Sequence, residues 1–266
     1  MRMEWAGRPT DVREIGSGNP IVLVHGYPLD GAMWSGVARV LSTRFRVLKP
    51  DLPGRGNTEA PAPDSIEGYA DFVEAIVDQL EGPVGLAGFS FGGYICLAFL
   101  KRRPEKVRVL ALVDTRASAD DETGRKKRDE TIAAVKSDGL APILESMPGK
   151  LLSPESLARQ DLLERVQRII SRQKPETLEA DLAAMRDRPD SSDFLREISV
   201  PTVVLVGERD LLTPPADSEA MAAAIPGARL VTIAGAGHLT PMERPKAVSQ
   251  ALEEFLSRGR REHPRR

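Results

Sequence analysis

The segment that decides the fold spans residues 84–102 and reads VGLAGFSFGGYICLAFLKR. It begins with the short apolar run VGLA, which is typical of a buried strand. The apolar segment Phe91–Arg102 is long enough for a helix. Between them, Ser90 is the centre of a Gly-x-Ser-x-Gly pattern with Gly88 and Gly92. Glycine leaves room for a sharp turn, so the pattern predicts a serine displayed where a strand turns into a helix.

Strands and helices alternate on both sides of this segment. Six short apolar runs are predicted to be strands: Pro20–Val24, Phe45–Leu48, Val84–Ala87, Val107–Val113, Val200–Val206 and Ala228–Ile233. Four segments are predicted to be helices of the same layers: Ile66–Leu80, Phe91–Arg102, Ala216–Ala224 and Lys246–Leu256. The alternation predicts an α/β protein with a mostly parallel central sheet and helices on both faces. Residues 4–15 are expected to add an antiparallel edge hairpin.

Residues 117–195 break the alternation, because they contain no strand-like run. Charged amphipathic helices separated by prolines are predicted there, around Asp120–Lys136, Ala141–Ser146, Pro154–Arg172 and Pro175–Arg188. We expect a core domain of residues 1–116 and 196–266 with residues 117–195 inserted as a helical cap. Ligands of open α/β sheets bind at the carboxyl ends of the strands, so the cap is expected to cover the substrate. The alternative is a helical excursion that only adds stability.

Composition excludes several classes of protein. The 266 residues carry a formal net charge of −2 with both signs mixed, which does not indicate a nucleic-acid-binding surface. The arginine-rich end, Arg258 to Arg266, is interpreted as a solvated terminus. Cys96 is the single cysteine, so we expect no intrachain disulfide and a small buried filler. No apolar leader and no run of ~18 apolar residues is present, so a cytoplasmic protein without a membrane span is expected, as a monomer or homodimer.

A serine hydroxyl is a poor nucleophile until a base removes its proton. Three histidines are available in the sequence. His238 follows the sixth predicted strand in the glycine-rich loop AGAGH, where it is able to reach over Ser90. His25 comes early in the chain, and His263 lies in the terminal tail. The sequence therefore predicts Ser90 as nucleophile and His238 as base; the alternatives are a helix-capping serine and a turn histidine.

The third member of such a site is an acid that orients the imidazole. Asp210 follows the fifth predicted strand, and the order Ser90, Asp210, His238 is the one expected when the serine lies at a strand-to-helix turn. Asp114, at the end of the fourth predicted strand, and Glu208 are alternatives. The alternative interpretation of Asp114 is that it ends the strand in a turn or forms a salt bridge with Arg116.

Stabilisation of a developing oxyanion requires two backbone N–H donors. The residue after the nucleophile, Phe91, is one candidate, and Tyr27 in the loop His25-Gly26-Tyr27-Pro28 is the other. Pro28 has no N–H to donate. His25 is then expected to brace this loop, and the segment 51–56 is expected to be a structural loop packed beside it.

Five segments together resemble the lidded α/β-hydrolase superfamily over essentially the whole chain: HGYPLD, DLPGRGNTEAP, LAGFSFGGY, PTVVLVGERDLLTPP and AGAGHLTPMERP. Within it the pattern is similar to small carboxylesterases, bacterial 3-oxoadipate enol-lactonases and cofactor-free haloperoxidases (perhydrolases). The resemblance implies the α/β-hydrolase fold and Ser–Asp–His catalysis without metal or organic cofactor. Tyr27 departs from it, since Trp or Phe is frequent there.

The resemblance implies a small-molecule substrate, with cleavage of a carboxylic ester as the principal expectation. A lactone substrate and perhydrolysis, in which peroxide replaces water, remain open. A non-enzymatic receptor that uses the pocket and the cap as a switch is the alternative from another class. Epoxide hydrolysis and dehalogenation are disfavoured because those relatives carry Asp where this chain has Ser90.

Overall fold

The computed structural model describes residues 1–56 and 58–258. The interpretations of the arginine-rich end beyond residue 258 and of His263 concern residues outside this range. The described strands, in chain order, are β1 (Arg2–Trp5), β2 (Arg8–Asp11), β3 (Arg13–Ile15), β4 (Pro20–Val24), β5 (Arg46–Lys49), β6 (Val84–Phe89), β7 (Val107–Val113), β8 (Thr202–Gly207) and β9 (Arg229–Ile233). The α-helices are α1 (Ser35–Leu41), α2 (Ile66–Val77), α3 (Phe91–Arg102), α4 (Glu122–Asp138), α5 (Ala141–Leu151), α6 (Pro154–Leu157), α7 (Gln160–Ile170), α8 (Pro175–Asp187), α9 (Pro215–Ala224), α10 (Thr240–Glu243) and α11 (Pro245–Arg258).

The central sheet has seven strands in the order β3-β5-β4-β6-β7-β8-β9. All neighbouring strands are parallel except β3, which pairs antiparallel with β5. The central strands β6 and β8 are buried along their whole length, because helices cover both faces of the sheet. The predicted α/β class and the mostly parallel sheet are therefore confirmed, and the six predicted core strands correspond to β4–β9.

Predicted and observed boundaries differ at several elements near the sheet. The predicted edge hairpin of residues 4–15 divides into a separate two-stranded sheet, β1–β2, and the edge strand β3. Trp5 of β1 packs edge-to-face on Phe72 of α2, with ring centroids 5.3 Å apart, so this hairpin covers a helix and does not extend the sheet. Strand β8 begins after Pro201, two residues later than predicted, because proline has no N–H for the ladder.

The helix α2 shows how an apolar stripe forms the core. Tyr69, Phe72 and Ile76 are fully buried on one face, as the periodicity of the sequence predicts. The hydroxyl of Ser65 caps the first turn by accepting a hydrogen bond from Gly68 N at 3.3 Å. Helices α1 and α10 were not among the predicted elements, since each is too short to show a period of its own.

The segment 117–195 lies between β7 and β8 and contains α4–α8, as the helical prediction requires. Its helix boundaries differ from the predicted ones. The predicted helix 154–172 is two helices, α6 and α7, because the extended backbone of Arg159, with φ −86° and ψ 99°, interrupts it. The helix α5 instead continues through Pro148 to Leu151. No helix among residues 1–56 and 58–258 is long and apolar enough to span a membrane.

A buried polar cluster joins this helical segment to the sheet. The guanidinium of Arg55, in the loop after β5, forms an ion pair with Asp181 of α8, and both side chains are fully buried. The hydroxyl of Tyr69 donates to the same carboxylate. Nearby, Thr177 Oγ1 donates to Gly54 O at 3.2 Å. The loop after β5 is thereby held against α8.

Candidate active site

Ser90 lies at the turn between β6 and α3 in a conformation that side chains rarely adopt. Its φ is 50° and its ψ is −114°, which costs on the order of 1–3 kcal/mol. Hydrogen bonds on both sides hold the turn: Ser90 N donates to Val113 O at 2.9 Å, and Ser90 O accepts from Gly93 N and Thr115 Oγ1, both at 2.8 Å. Ser90 itself is only partly buried. The structure thus displays its hydroxyl above the carboxyl edge of the sheet.

The two glycines of the pattern are required by close backbone approach. A Cβ at Gly92 would lie 2.5 Å from Val24 O and 2.7 Å from His25 O. A Cβ at Gly88 would collide with the backbone of Gly92 and lie 2.7 Å from Cys96 Sγ. Cys96 is completely buried, as expected of a filler, and burial raises the pKa of its thiol. Larger residues at either glycine would displace the helix that follows the serine.

His238 and Asp210 form a buried hydrogen-bonded pair. The distance between His238 Nδ1 and Asp210 Oδ2 is 2.8 Å, and both side chains are almost completely buried. Asp210 Oδ1 accepts from the backbone N of Leu212 and Thr213, at 2.8 and 2.9 Å, and Oδ2 also accepts from Thr213 Oγ1 at 2.7 Å. Burial alone would raise the pKa of Asp210, but His238 and these hydrogen bonds hold it below its usual value. An ionised carboxylate at Nδ1 places the ring proton there and leaves Nε2 as the basic nitrogen.

The loop that carries His238 is fixed by a residue that sequence reasoning missed. The buried side chain of Glu243, in α10, accepts from Gly237 N and from Ser153 N, both at 2.9 Å. Leu239 N donates to Leu151 O at 2.8 Å, so the histidine loop is bonded to the end of α5. The segment AGAGHLTPMERP contains this acid, but nothing in its spacing distinguishes Glu243 from a surface carboxylate.

The two alternative acids have other partners. Asp114 Oδ1 accepts from Gly207 N at 2.8 Å, and its Oδ2 is hydrogen-bonded to Thr240 Oγ1. Burial, together with the nearby charge of Asp210, raises the pKa of Asp114 well above its usual value. Arg116, the neighbour proposed to pair with it, forms an ion pair with Asp217 at 3.4 Å instead. Glu208 is exposed and accepts from Gly235 N at 2.8 Å.

The loop after β4 is braced as the sequence predicts. Leu52 N donates to His25 Nε2 at 3.0 Å, so the ring proton is on Nδ1, which donates to Gly26 O at 3.0 Å. Burial, with a smaller effect from the charge of Arg55, lowers the pKa of His25 to about 3, and the ring is neutral. The loop after β5 therefore packs beside this loop through Leu52.

Two backbone N–H groups near Ser90 are available to a ligand. Among the hydrogen bonds of the described residues, the N–H of Tyr27 has no acceptor. The N–H of Phe91 belongs to the first residue of α3, where a helix offers no internal acceptor. The peptide bond between Tyr27 and Pro28 is cis.

Ser90, His238 and Tyr27 line one cavity of about 360 Å³. Its other walls come mostly from the helical segment 117–195, with apolar side chains from α5 and α8 such as Ile143 and Met185. Within the part of the chain that the structure describes, no group of three or more His, Cys, Asp or Glu side chains is placed to hold a metal ion. The cavity combines a partly exposed serine, a paired imidazole and unpaired backbone donors, which is an arrangement suited to acyl transfer.

Comparison with known proteins identifies the family to which this fold belongs. The family model described as alpha/beta hydrolase fold matches residues 19–245. A thermophilic esterase from Thermogutta terrifontis, in a malate-bound structure, is 36% identical with a TM-score of 0.91, and the match covers 94% of each chain. An enol-lactonase from Burkholderia xenovorans LB400 is 25% identical with a TM-score of 0.89, over 97% of this chain and all of the other. A pimeloyl-[acyl-carrier protein] methyl ester esterase of Nitrosomonas europaea is 29% identical over 256 residues, 92% of this chain and 96% of that protein.

The chain therefore belongs to the alpha/beta hydrolase fold family. The predicted superfamily and its fold are confirmed.

Proposed function

We propose that this protein hydrolyses carboxylic esters of modest size through an acyl-enzyme formed on Ser90. The observation that carries the proposal is the hydrogen bond of 2.8 Å between His238 Nδ1 and Asp210 Oδ2 in the wall of the cavity that Ser90 also lines. Family membership and the similarity to proteins named as esterases support ester cleavage as the reaction class.

In this mechanism, His238 Nε2 removes the proton of Ser90 as the hydroxyl attacks the ester carbonyl. The ionised Asp210 stabilises the imidazolium that forms, without accepting its proton. The N–H groups of Tyr27 and Phe91 donate to the tetrahedral oxyanion. His238 then protonates the departing alcohol, and a water molecule, deprotonated by the same ring, releases the acid.

In the proposed enzyme, the helical segment 117–195 acts as a cap on a core of residues 1–116 and 196–266. Its side chains form most of the cavity wall, as with Ile143 of α5 and Leu182 of α8. The apolar part of this wall offers contact surface to the hydrocarbon part of an ester.

Turnover of short-chain aryl esters tests the assignment of Ser90. The wild-type protein is expected to hydrolyse them, and Ser90→Ala is expected to lose about 10³-fold or more in kcat. Ser171→Ala, on the surface after α7, is a matched control, since its hydroxyl donates to Arg168 O at 3.1 Å and forms no other hydrogen bond within the described part of the chain. Equal rates for Ser90→Ala and the wild type would overturn the proposal.

Lactone cleavage is a second candidate, supported by the similarity to an enol-lactonase over the whole of that protein. A lactone and a linear ester pass through the same tetrahedral intermediate, so the same groups serve both. A panel of lactones and linear esters with matched carbon number separates the two. A lactonase is expected to show kcat/KM at least about tenfold higher for the lactones, equivalent to roughly 1.4 kcal/mol in transition-state binding.

A further inference from the structure

Two helices of the segment 117–195 each present one face to the cavity. The helix α4 contributes the residues Gly124, Lys127, Arg128 and Thr131, and α5 contributes Ile143, Ser146, Met147 and Lys150. In both helices these positions follow the spacing i, i+3, i+4, i+7, which places them on one side of the helix. The charged residues among them are thus part of the cavity wall.

The charge of this wall is strongly asymmetric. Apart from His238, the charged residues that line the cavity are Arg116, Asp120, Lys127, Arg128 and Lys150, of which only Asp120 is acidic. The carboxylate of Asp120 is already bonded to Arg128 Nε at 3.0 Å and to Arg188 Nη2 at 2.8 Å. Burial alone would raise the pKa of Asp120, but these two arginines hold it below its usual value. The negative charge of Asp120 is therefore already compensated by Arg128 and Arg188.

The remaining cations differ in what they bind. Arg116 forms an ion pair with Asp217 at 3.4 Å and donates to Leu212 O. Lys127 and Lys150 form no ion pair with any side chain in residues 1–56 and 58–258. Both are exposed at the cavity, so their positive charges are available to a ligand.

We infer that the preferred substrates of this cavity carry a carboxylate in addition to the ester group. The carboxylate binds to the ammonium groups of Lys127 and Lys150, while the ester carbonyl lies at Ser90. This inference rests on the proposed ester hydrolysis and specifies its substrate class. Positive charge around a cleft concentrates anionic ligands and directs their orientation.

Kinetics with matched substrates test the inference. Monomethyl esters of linear dicarboxylic acids are compared with the dimethyl esters of the same acids, with methanol release as the readout. The monoanionic ester is expected to have a kcat/KM about tenfold higher or more at low salt, and the preference is expected to shrink at high salt because exposed charges are screened. Acetate esters of hydroxy acids form a second arm and show whether a carboxylate on the alcohol side is preferred instead.

Substitutions of the two lysines test whether the cavity causes the preference for the monoanionic ester. Lys127→Met and Lys150→Met are each expected to lower the ratio of monoanionic to neutral kcat/KM about threefold, and the double variant is expected to abolish the preference. Lys126→Met is the matched control on the same helix. Its side chain is 77% exposed, lies 4.0 Å from Glu130 and does not line the cavity, so the ratio is expected to stay at the wild-type value.

Binding separates a failure of this inference from a failure of the proposed reaction. Adipate is titrated calorimetrically into wild-type protein and into the Lys127→Met/Lys150→Met variant, a measurement that requires no turnover. Saturable binding that weakens in the double variant supports the anion subsite even if esters are not cleaved. Turnover of esters with no preference for the monoanion, or a preference that the double variant retains, would overturn the inference and leave ester hydrolysis standing.

Discussion

The carboxylate of Asp210 is hydrogen-bonded to His238 Nδ1 at 2.8 Å, whereas Asp114, which is equally buried, bonds to Gly207 N and Thr240. The two acids are close enough for the charge of Asp210 to raise the pKa of Asp114. Their environments therefore push the two pKa values in opposite directions, and only the ionised one contacts the imidazole.

The first prediction compares Asp210→Asn with Asp114→Asn. Asp210→Asn retains the shape but favours the wrong tautomer of His238, and kcat is expected to fall on the order of 10⁴-fold. Asp114→Asn introduces a neutral amide in place of a carboxyl group whose pKa is raised. The amide still accepts a hydrogen bond from Gly207 N and donates one to Thr240, so kcat is expected to fall less than tenfold. Steady-state kinetics on one aryl ester measure both. A crippled Asp114→Asn with a mild Asp210→Asn would place the acid after β7.

A second prediction concerns the stability of the protein in acid. The pKa of His25 is about 3 in the folded protein and about 6.5 in the unfolded chain. The unfolded state therefore binds the extra proton, so this contribution to stability is fully present above pH ~6.5 and is lost as the pH falls towards the folded value. His25→Gln is expected to reduce the slope of the unfolding free energy against pH in this range by up to roughly 1.4 kcal/mol per pH unit.

Denaturant unfolding between neutral and mildly acidic pH measures this slope. Identical slopes for wild type and His25→Gln would show that His25 takes up its proton as readily in the folded protein as in the unfolded chain, which would contradict the prediction. Glutamine retains an acceptor for Leu52 N, so the variant preserves the hydrogen bond of 3.0 Å that braces the loop.

A third prediction addresses the buried ion pair between the sheet and α8. Asp181→Asn removes the charge opposite Arg55 and leaves a buried guanidinium uncompensated, which is expected to cost roughly 3–5 kcal/mol. The exposed pair of Arg125 and Asp187 provides the control, with half-exposed side chains 2.9 Å apart. Asp187→Asn is expected to change stability by roughly 1 kcal/mol or less. Chemical unfolding measures the stability of both variants. Similar losses of stability in the two would contradict a large stabilising contribution from the buried pair.

A fourth prediction compares two glycines that differ in the space available for a Cβ. A Cβ at Gly237 would lie 2.5 Å from Ser153 N, next to His238, whereas Gly149 on α5 has open space around it. Gly237→Ala is expected to destabilise the protein by about 1–3 kcal/mol and to lower kcat through displacement of the histidine loop. Gly149→Ala is expected to be neutral or to stabilise by up to about 1 kcal/mol. Thermal unfolding and ester kinetics on both variants check this, and an unaffected Gly237→Ala would refute it.

The sequence predicts those parts of the molecule in which local pattern and global packing agree. Strands such as β6 are continuous apolar runs. The turn at Ser90 has a glycine on either side, and the close approach of the backbone there requires both of them. The order of Ser90, Asp210 and His238 then follows from the ends of three strands at one edge of the sheet.

The remaining features depend on contacts between residues far apart in the chain. Glu243 reaches Ser153, and Asp181 reaches Arg55, so neither acid differs locally from a surface carboxylate. The helix α4 is charged along its length, and only Val135 among its residues is buried. Its cavity-facing side therefore becomes visible only when the packing of the helices is known.

The most direct test of the central claim is intact-protein mass spectrometry of the enzyme quenched with acid during turnover of an aryl ester, followed by peptide mapping. The account predicts an added mass of one acyl group, located on Ser90 and absent from Ser90→Ala. His238→Ala is expected to slow its formation by several orders of magnitude, since the base is removed. Undiminished ester turnover by Ser90→Ala, or an adduct on another residue that forms at the catalytic rate, would contradict the account.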